Sequence, residues 1–172
     1  MARRRGKRPP GNGSSSSIHF EQWFPYRFSW VANEVSLCLY GRYHSRWGLS
    51  VVGWRIVVML AERAPLAAKE LAELTAMDPV QITRAVAELA RLGFVARRID
   101  RADRRRVALR LTSAGKAVYA EMLPYLQEVE VALLDGLKPG ERAQLAELMD
   151  RIQANGRRFF VTSDDGIVRL KR

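Results

Sequence analysis

A short break near the middle of the chain restricts the possible folds more than any other feature. Residues 66–92 contain two stretches with helical apolar spacing, and Asp78 and Pro79 separate them. Asp78 suits the N-cap of a helix, and Pro79 suits the first helical position, where no backbone donor is needed. The sequence therefore predicts two short helices, over residues 66–75 and 79–92, joined by a sharp turn.

The second predicted helix has two chemically different faces, because side chains three or four residues apart lie on the same side of a helix. The apolar set is Ile82, Ala85, Val86 and Leu89, and the polar set is Gln81, Arg84, Glu88 and Arg91. We expect the apolar face to pack and the polar face to meet solvent or a partner. Gly93 suits the position just beyond the helix end.

Two strand-like runs follow, and they flank a strongly basic segment. The runs are residues 94–99 and 106–112, and the segment 100–106 reads DRADRRR. In the second run, Val107, Leu109 and Leu111 alternate with Ala108 and Arg110. Alternation with a period of two is typical of a half-buried strand. The basic segment is therefore predicted to be the tip of a β-hairpin.

The excess positive charge of the chain is concentrated in two places. The formal net charge is +11, and five basic residues precede the first acidic residue, all within residues 1–17. A second cluster lies in residues 97–110, where seven arginines accompany two aspartates. Charge concentrated in this way indicates a polyanionic partner, with nucleic acid as the first candidate and an anionic membrane as the second.

Helices are also predicted before the central break. Residues 1–17 combine basic side chains with Pro, Gly and Ser and are predicted to be a disordered arm. Helical spacing predicts a first helix over about residues 25–46. Ser50 can cap a second helix that Pro65 closes. This second helix is apolar nearly all round and is expected to be buried between other helices.

After the hairpin, two more helices are predicted. Thr112 or Ser113 starts a long helix in which Pro124 predicts a kink or break. A final helix is predicted over about residues 139–154, ending before an Asn–Gly pair. Residues 159–172 are interpreted as a basic C-terminal tail, in preference to a small hairpin around their Asp–Asp–Gly sequence.

The sequence lacks the features of several protein classes. No run of about 18 uncharged apolar residues occurs, and no apolar stretch follows the basic start, so a cytoplasmic location without membrane binding is expected. Cys38 is the only cysteine, and His19 and His44 form no cluster of metal ligands. No phosphate-binding glycine loop or G-x-S-x-G motif is present. We expect no enzyme activity, no metal and no cofactor.

The order of these elements, two short helices and then a basic hairpin, is that of a winged helix-turn-helix. The chain resembles the MarR family of bacterial transcription regulators over roughly residues 26–155. It carries the family's buried helix, helix-turn-helix, D-x-x-D-R-R wing and L-T-x-x-G helix start, in that order. The resemblance implies a mainly α fold with a small β-wing and with N- and C-terminal dimerisation helices. The implied domain covers residues 18–158, with the winged helix-turn-helix over about 50–112 and the dimerisation helices over about 25–46 and 113–155.

The resemblance implies that residues 79–92 form the recognition helix for double-stranded DNA. Gln81, Thr83 and Arg84 are then the candidates for base or phosphate contacts. Gln can pair with adenine, Arg can pair with guanine, and Thr can meet a phosphate or a thymine methyl group. The alternative is that these side chains only form a solvated helix face.

The resemblance also implies that wing arginines enter or border the minor groove of DNA. It points to Arg104 and Arg105, with Arg101 and Arg106 as neighbours. Ala102 stands where some family members have arginine. This departure leaves open which arginine inserts, and Arg101 can take the role.

Two aspartates within the basic segment need a separate explanation. A plain polybasic patch needs no acids, yet the segment contains Asp100 and Asp103. We expect their carboxylates to accept hydrogen bonds from hairpin amides or arginines and so to fix the turn, with the other guanidinium groups pointing outward. The alternative is an ordinary charged turn tip.

In the family, the first helix and the last two helices of two chains interlock into a symmetric homodimer. The apolar residues available for such an interface are Leu126, Val129, Val131, Leu133, Leu134, Leu137, Leu145, Leu148 and Ile152. The alternative is that they form the core of one chain. A symmetric dimer would present two recognition helices about 34 Å apart and would therefore read an inverted repeat.

Many family members bind a small effector that lowers their affinity for DNA. The aromatic-rich start of the first helix, together with nearby cations, is suited to an apolar pocket for an acid. The residues are Trp23, Phe24, Tyr26, Arg27, Phe28, Trp30 and Arg42. This composition resembles family members that respond to aromatic acids or their coenzyme A thioesters. The alternative is that these rings pack the first helix against its dimer partner.

Three further alternatives accompany the expected function, which is ligand-responsive repression at an operator. Cys38 could sense peroxide, as one cysteine does in some family members, but packing on an apolar helix face is the preferred interpretation. The chain could be an architectural or nonspecific nucleic-acid-binding protein without ligand control. A membrane-surface role is supported only by residues 1–17, which lack interleaved apolar residues.

Overall fold

A computed structural model describes residues 19–99, 107–162 and 168–170. Contacts along the backbone divide the chain into two units, with residues 19–34 in the first and the rest of the described residues in the second. The predicted basic arm, residues 1–17, lies outside the described residues.

The described part of the chain contains six α-helices and two small antiparallel sheets. A short 3-10 helix at Phe20–Gln22 precedes them. The helices are α1 (Phe24–Trp47), α2 (Val51–Arg63), α3 (Ala68–Thr75), α4 (Pro79–Arg91), α5 (Ser113–Leu133) and α6 (Pro139–Phe159). The strands are β1 (Val95–Ile99), β2 (Val107–Leu111), β3 (Phe160–Thr162) and β4 (Val168–Leu170). β1 pairs with β2, and β3 pairs with β4. The predicted fold class, mainly α with a small β-wing after the helix-turn-helix, is confirmed.

Local capping chemistry sets the helix ends where the sequence predicts them. The Ser50 hydroxyl accepts a hydrogen bond of 3.1 Å from the Gly53 amide at the start of α2. The Asp78 carboxylate accepts a hydrogen bond of 3.0 Å from the Gln81 amide at the start of α4. Gly93 follows α4 with a φ of 77°, a left-handed conformation that glycine adopts at little cost. Both caps satisfy amide donors that lack partners inside the helix.

The core of the second unit lies among α1 to α5 and the sheet of β1 and β2. Its most deeply buried side chains are Leu39, Tyr43, Leu49, Ile56, Val57, Leu60, Leu71, Ile82, Leu89, Leu109 and Met122. Helix α4 contributes the predicted apolar face, because Ile82, Ala85, Val86 and Leu89 are all buried. The opposite face of α4 therefore points away from the core.

Strand β2 departs from the strict alternation that the sequence predicts. Val107 is exposed, whereas Ala108 and Leu109 are both buried. The backbone of Leu66 pairs with that of Leu109 through hydrogen bonds of 2.8 and 3.3 Å. This bridge places a third segment alongside β2.

Helix α5 runs through Pro124 without the predicted break. Proline removes one backbone hydrogen bond from a helix interior. Pro124 and Ala120 are both exposed, so water can reach the Ala120 carbonyl that loses its partner. The helix has no break because this loss falls on its solvent side, and a kink at Pro124 stays a prediction.

Helix α6 extends beyond its predicted end at residue 154 and reaches Phe159. It continues through Gly156, although a glycine inside a helix costs about 1 kcal/mol relative to alanine. Arg157 and Arg158 lie in the last turn, where positive charge interacts favourably with the helix dipole. The Asn–Gly pair is therefore not a helix end in this chain.

The C-terminal segment contains a hairpin where the sequence analysis preferred a basic tail over residues 159–172. Strands β3 and β4 are antiparallel, with Phe160 opposite Leu170 and Val161 opposite Arg169. Aromatic and β-branched residues favour strands, and here this preference outweighs the basic charge of the segment. The prediction of a frayed tail is wrong for the described residues.

Helix α1 packs against the core through a face that does not include Cys38. Leu39 and Tyr43 are buried, and the Tyr43 hydroxyl donates a hydrogen bond of 3.4 Å to the Met122 carbonyl of α5. Cys38 is exposed and lies outside the buried core of the chain. Burial raises the pKa of Tyr43 to about 12.

Candidate nucleic-acid interface

Helix α4 presents the predicted recognition residues on its solvent side, since Gln81, Thr83 and Arg84 are all exposed. The Thr83 hydroxyl donates a hydrogen bond of 2.8 Å to the Pro79 carbonyl, which holds this side chain against the helix. Within the described parts of the chain, no hydrogen bond or ion pair holds the side chains of Gln81 or Arg84. These two polar groups are therefore available to a partner.

Strands β1 and β2 form the hairpin that flanks the basic segment, and we call this pair the wing hairpin. Val95 lies opposite Leu111, and Ile99 lies opposite Val107. The basic segment connects these strand ends in the sequence. Six predicted site residues belong to it and lie outside the described residues: Asp100, Arg101, Asp103, Arg104, Arg105 and Arg106. Their roles remain predictions.

A groove between α4, the start of α3 and the wing hairpin contains a cation that the sequence analysis did not assign to the site. The groove has a volume of about 340 Å³ and is lined by Ala67, Ala68, Thr83, Val86, Arg97, Val107 and Leu109. Its walls are mostly apolar, with polar side chains only at Thr83 and Arg97 in this described lining. The pairing of β1 with β2 places Arg97 directly opposite the buried Leu109, on the face of the hairpin that lines the groove. The sequence alone does not show this register.

A small cluster of contacts fixes the wing hairpin between two helices. The Thr112 hydroxyl donates a hydrogen bond of 2.6 Å to the Gly93 carbonyl and accepts one of 3.0 Å from the Gly115 amide. The Thr112 amide donates to the Phe94 carbonyl at 3.0 Å. A Cβ atom on Gly115 would overlap the Phe94 carbonyl oxygen, so this close approach requires glycine. The L-T-x-x-G motif therefore joins the end of α4, the base of the wing hairpin and the start of α5.

The aromatic residues predicted for an effector site make contacts within the first unit. The rings of Phe20 and Tyr26 have centroids 4.2 Å apart, and those of Phe20 and Trp23 are 6.0 Å apart. Phe24 and Phe28 form a second pair with centroids 6.0 Å apart. The rings therefore form two small groups, and Trp23 and Phe24 remain exposed.

The two arginines predicted for the effector site each contact an aromatic ring. The Arg27 guanidinium lies 5.7 Å from the centre of the Phe24 ring in the first unit. In the second unit, the Arg42 guanidinium lies 4.2 Å from the centre of the Tyr125 ring. Trp30 is 55% exposed. Each cation thus has a cation–π partner in its own unit.

Cys38 contacts helix α5 from α1. Its thiol lies 3.5 Å from the Tyr125 hydroxyl. This hydrogen bond is the largest cause that raises the pKa of Tyr125, and burial is the second. The Tyr125 ring also packs edge-on against Tyr43, with centroids 5.9 Å apart. These contacts make Cys38 part of the connection between α1 and α5.

The apolar residues predicted for a dimer interface lie mostly on the surface of the single chain. Val131, Leu133, Leu137, Leu145, Leu148 and Ile152 are exposed, and Leu126, Val129 and Leu134 are partly buried. Helix α6 buries none of its residues in the described part of the chain. The alternative that these residues form the core of one chain is wrong for the six exposed ones.

The described residues contain no group of three or more His, Cys, Asp or Glu side chains placed to hold a metal ion. Among the helices that the structure describes, none is long and apolar enough to cross a membrane.

The helix-turn-helix region is similar in sequence to proteins of a known family. A model of the MarR family matches residues 47–106. The transcriptional repressor NicR of Pseudomonas putida is 29% identical over 93 residues, which is 54% of this chain and 59% of NicR. The chain spans less than two thirds of the length of the curated relatives it matches.

Solved structures extend the similarity over most of the chain. A MarR-family regulator from Silicibacter pomeroyi superposes with a TM-score of 0.72 at 25% identity, over 80% of this chain and 92% of that one. BpsR of Bordetella bronchiseptica, whose DNA binding is regulated by 6-hydroxynicotinic acid, shares the fold with a TM-score of 0.69 at 20% identity, over 80% of this chain and 97% of that one. Over residues 47–106 the chain is therefore similar to the MarR family, and it shares the winged helix-turn-helix fold of MarR-family transcriptional regulators of known structure.

Proposed function

We propose that this protein is a sequence-specific, DNA-binding transcription regulator that binds an inverted-repeat operator as a homodimer and acts as a repressor. The observation that carries the proposal is the exposed polar face of α4, whose apolar face is fixed in the core beside a basic hairpin. A rigid helix with unpartnered polar side chains is suited to the major groove of DNA. Repression is the activity named for the relative NicR.

The residues proposed to contact DNA come from α4 and from the basic segment. Gln81 and Arg84 are assigned to base edges, because their side chains are exposed and unpartnered among the described residues. Thr83 is assigned to a phosphate or a thymine methyl group. The basic segment contributes Arg101, Arg104, Arg105 and Arg106, with Asp100 and Asp103 fixing the turn.

The exposed apolar residues of α5 and α6 support a homodimer. A helix of 21 residues with no buried side chain gains little stability from its own chain. Covering Leu145, Leu148 and Ile152 with a second copy would remove this apolar surface from water. Two-fold symmetry would then give two copies of α4 about one DNA turn, or roughly 34 Å, apart.

An aromatic acid or its coenzyme A thioester is the proposed effector. The aromatic groups and the cation Arg27 of the first unit offer ring-stacking and charge interactions to such a ligand. Arg42, which belongs to the second unit, stays a prediction from the sequence. The regulation of BpsR by 6-hydroxynicotinic acid offers a parallel in a protein of the same fold. The effector would lower DNA affinity by binding more tightly to the conformation that binds DNA poorly.

Replacement of Arg84 tests the proposed reading of sequence. We expect Arg84→Ala to reduce the discrimination between operator and scrambled DNA by about 1–3 kcal/mol, since a bidentate contact to one base would be lost. Binding titrations of both duplexes measure this difference. Arg91→Ala is the matched control. Arg91 is exposed in the last turn of α4, and its replacement removes the same charge.

If Arg84→Ala and Arg91→Ala both discriminate operator from scrambled DNA as well as the wild type does, Arg84 does not contact a base. Wild-type protein that binds operator and scrambled DNA equally would favour the second candidate, an architectural or nonspecific nucleic-acid-binding protein. The concentration of arginines in residues 97–110 is the observation that favours that candidate.

A further inference from the structure

We propose that Arg97 contacts a DNA backbone phosphate at the mouth of the groove between α4 and the wing hairpin. The inference rests on the proposed function and adds a contact outside the basic segment. Arg97 shares the lining of this groove with Thr83, which lies on the exposed face of the recognition helix. A phosphate of a strand bordering the recognition helix would therefore lie within the field of the Arg97 guanidinium.

Strand pairing places Arg97 on the packed face of the wing hairpin. Residues directly opposite each other in an antiparallel pair have side chains on the same face, and Arg97 lies opposite Leu109. Leu109 is 2% exposed, whereas Arg97 is exposed. The Arg97 side chain thus lies on the apolar face of the wing hairpin but is exposed to solvent.

Arg97 has no anionic partner within the described parts of the chain. The ion pairs found there join Arg46 to Glu121 and Lys69 to Glu73. The groove walls around Arg97 are mostly apolar. Apolar walls strengthen the field of a nearby charge, because they keep the high dielectric of water away. This placement favours an anion brought by a partner, and arginine binds phosphate oxygens through two parallel hydrogen bonds.

Arg98 provides a comparison within the same strand. It lies opposite Ala108 and therefore on the other face of the wing hairpin. Arg98 is exposed, and it is not part of the groove lining. The two arginines carry the same charge at adjacent positions. A difference between the effects of their substitutions on DNA binding would therefore come from the position in the groove and not from the net charge.

Arg97→Gln and Arg98→Gln, each measured on operator and scrambled DNA at several salt concentrations, test the inference. We expect Arg97→Gln to weaken binding to both duplexes by a similar factor, on the order of tenfold at low salt. The slope of log K against log salt should fall in magnitude by about 0.9, as expected for one lost phosphate contact. Arg98→Gln should change both quantities by less than a third as much.

Two further measurements separate a phosphate contact from other roles. Arg97→Lys should keep most of the salt slope, because the charge remains. The melting temperatures of all variants should match that of the wild type, because surface substitutions usually change stability by less than about 0.5 kcal/mol. Equal effects of Arg97→Gln and Arg98→Gln would overturn the inference. A loss confined to operator DNA would also overturn it, since it would indicate a base contact.

The outcome for Arg97 can be distinguished from that of the proposed function. Wild-type protein without operator preference would contradict the proposed function. The contrast between Arg97→Gln and Arg98→Gln on scrambled DNA would still decide whether the groove binds phosphate.

Discussion

Helices α4 and α6 are both amphipathic, but only α4 covers its apolar face within the chain. Helix α4 has four buried residues, which pack into the core of the second unit. Helix α6 is longer, yet in the described structure it has none. Its apolar residues Leu145, Leu148, Met149 and Ile152 are between 37% and 43% exposed.

The difference indicates which part of the molecule is complete as a single chain. The helix-turn-helix and the wing hairpin share one buried core, so the orientation of α4 is fixed by contacts within the chain. The apolar face of α6 gains little stabilisation from burial within the described part of the chain. We infer that the recognition surface forms in each chain and that the spacing of two such surfaces is set by association.

The largest expected effect comes from damaging the core under α4. Ile82 is fully buried, so Ile82→Ala should lower the free energy of unfolding by about 2–5 kcal/mol through lost burial and a residual cavity. Urea denaturation at two protein concentrations measures the loss, which should be the same at both. A loss below about 1 kcal/mol would mean that α4 is held by something other than this core.

The corresponding change on α6 should act through association. Leu148→Asp places a charge on the exposed apolar face, and we expect it to weaken the dimer by about 2–4 kcal/mol. Sedimentation measures the dissociation constant, and the melting temperature should lose its dependence on protein concentration. Glu147→Ala, at the neighbouring exposed position, is the control. An unchanged dissociation constant in Leu148→Asp would show that this face is not the interface.

A smaller effect is expected at the junction between the wing hairpin and α5. Gly115→Ala should destabilise the chain by about 1–3 kcal/mol, because the added methyl group overlaps the Phe94 carbonyl and forces a backbone shift. Thermal unfolding measures the change. Gly140→Ala is the matched control on α6, since no atom lies within 4 Å of the added Cβ there. Similar results for the two variants would contradict the close approach described for Gly115.

Much of the fold follows from local chemistry that the sequence displays. Asp78, Pro79 and Gly93 define the limits of α4, because capping and left-handed turns depend on a few adjacent residues. The buried face of α4 follows from its apolar spacing. These features therefore needed no knowledge of the tertiary structure.

Other features depend on contacts between distant parts of the chain. The backbone bridge from Leu66 to Leu109 joins residues that are far apart in the sequence. The position of Arg97 in the groove requires the register of β1 against β2. The continuation of α5 through Pro124 depends on which side of the helix meets solvent. Local spacing contains none of this information.

The central claim is that the chain reads a DNA sequence as a homodimer. Its most direct test is a titration of the full-length protein against the DNA upstream of its own coding sequence and against a scrambled duplex, at about 150 mM salt, where nonspecific charge binding weakens. We expect preferential binding to one inverted repeat with two chains per duplex, released by an aromatic acid or its thioester. Equal affinity for both duplexes, unchanged by any of these compounds, would contradict it.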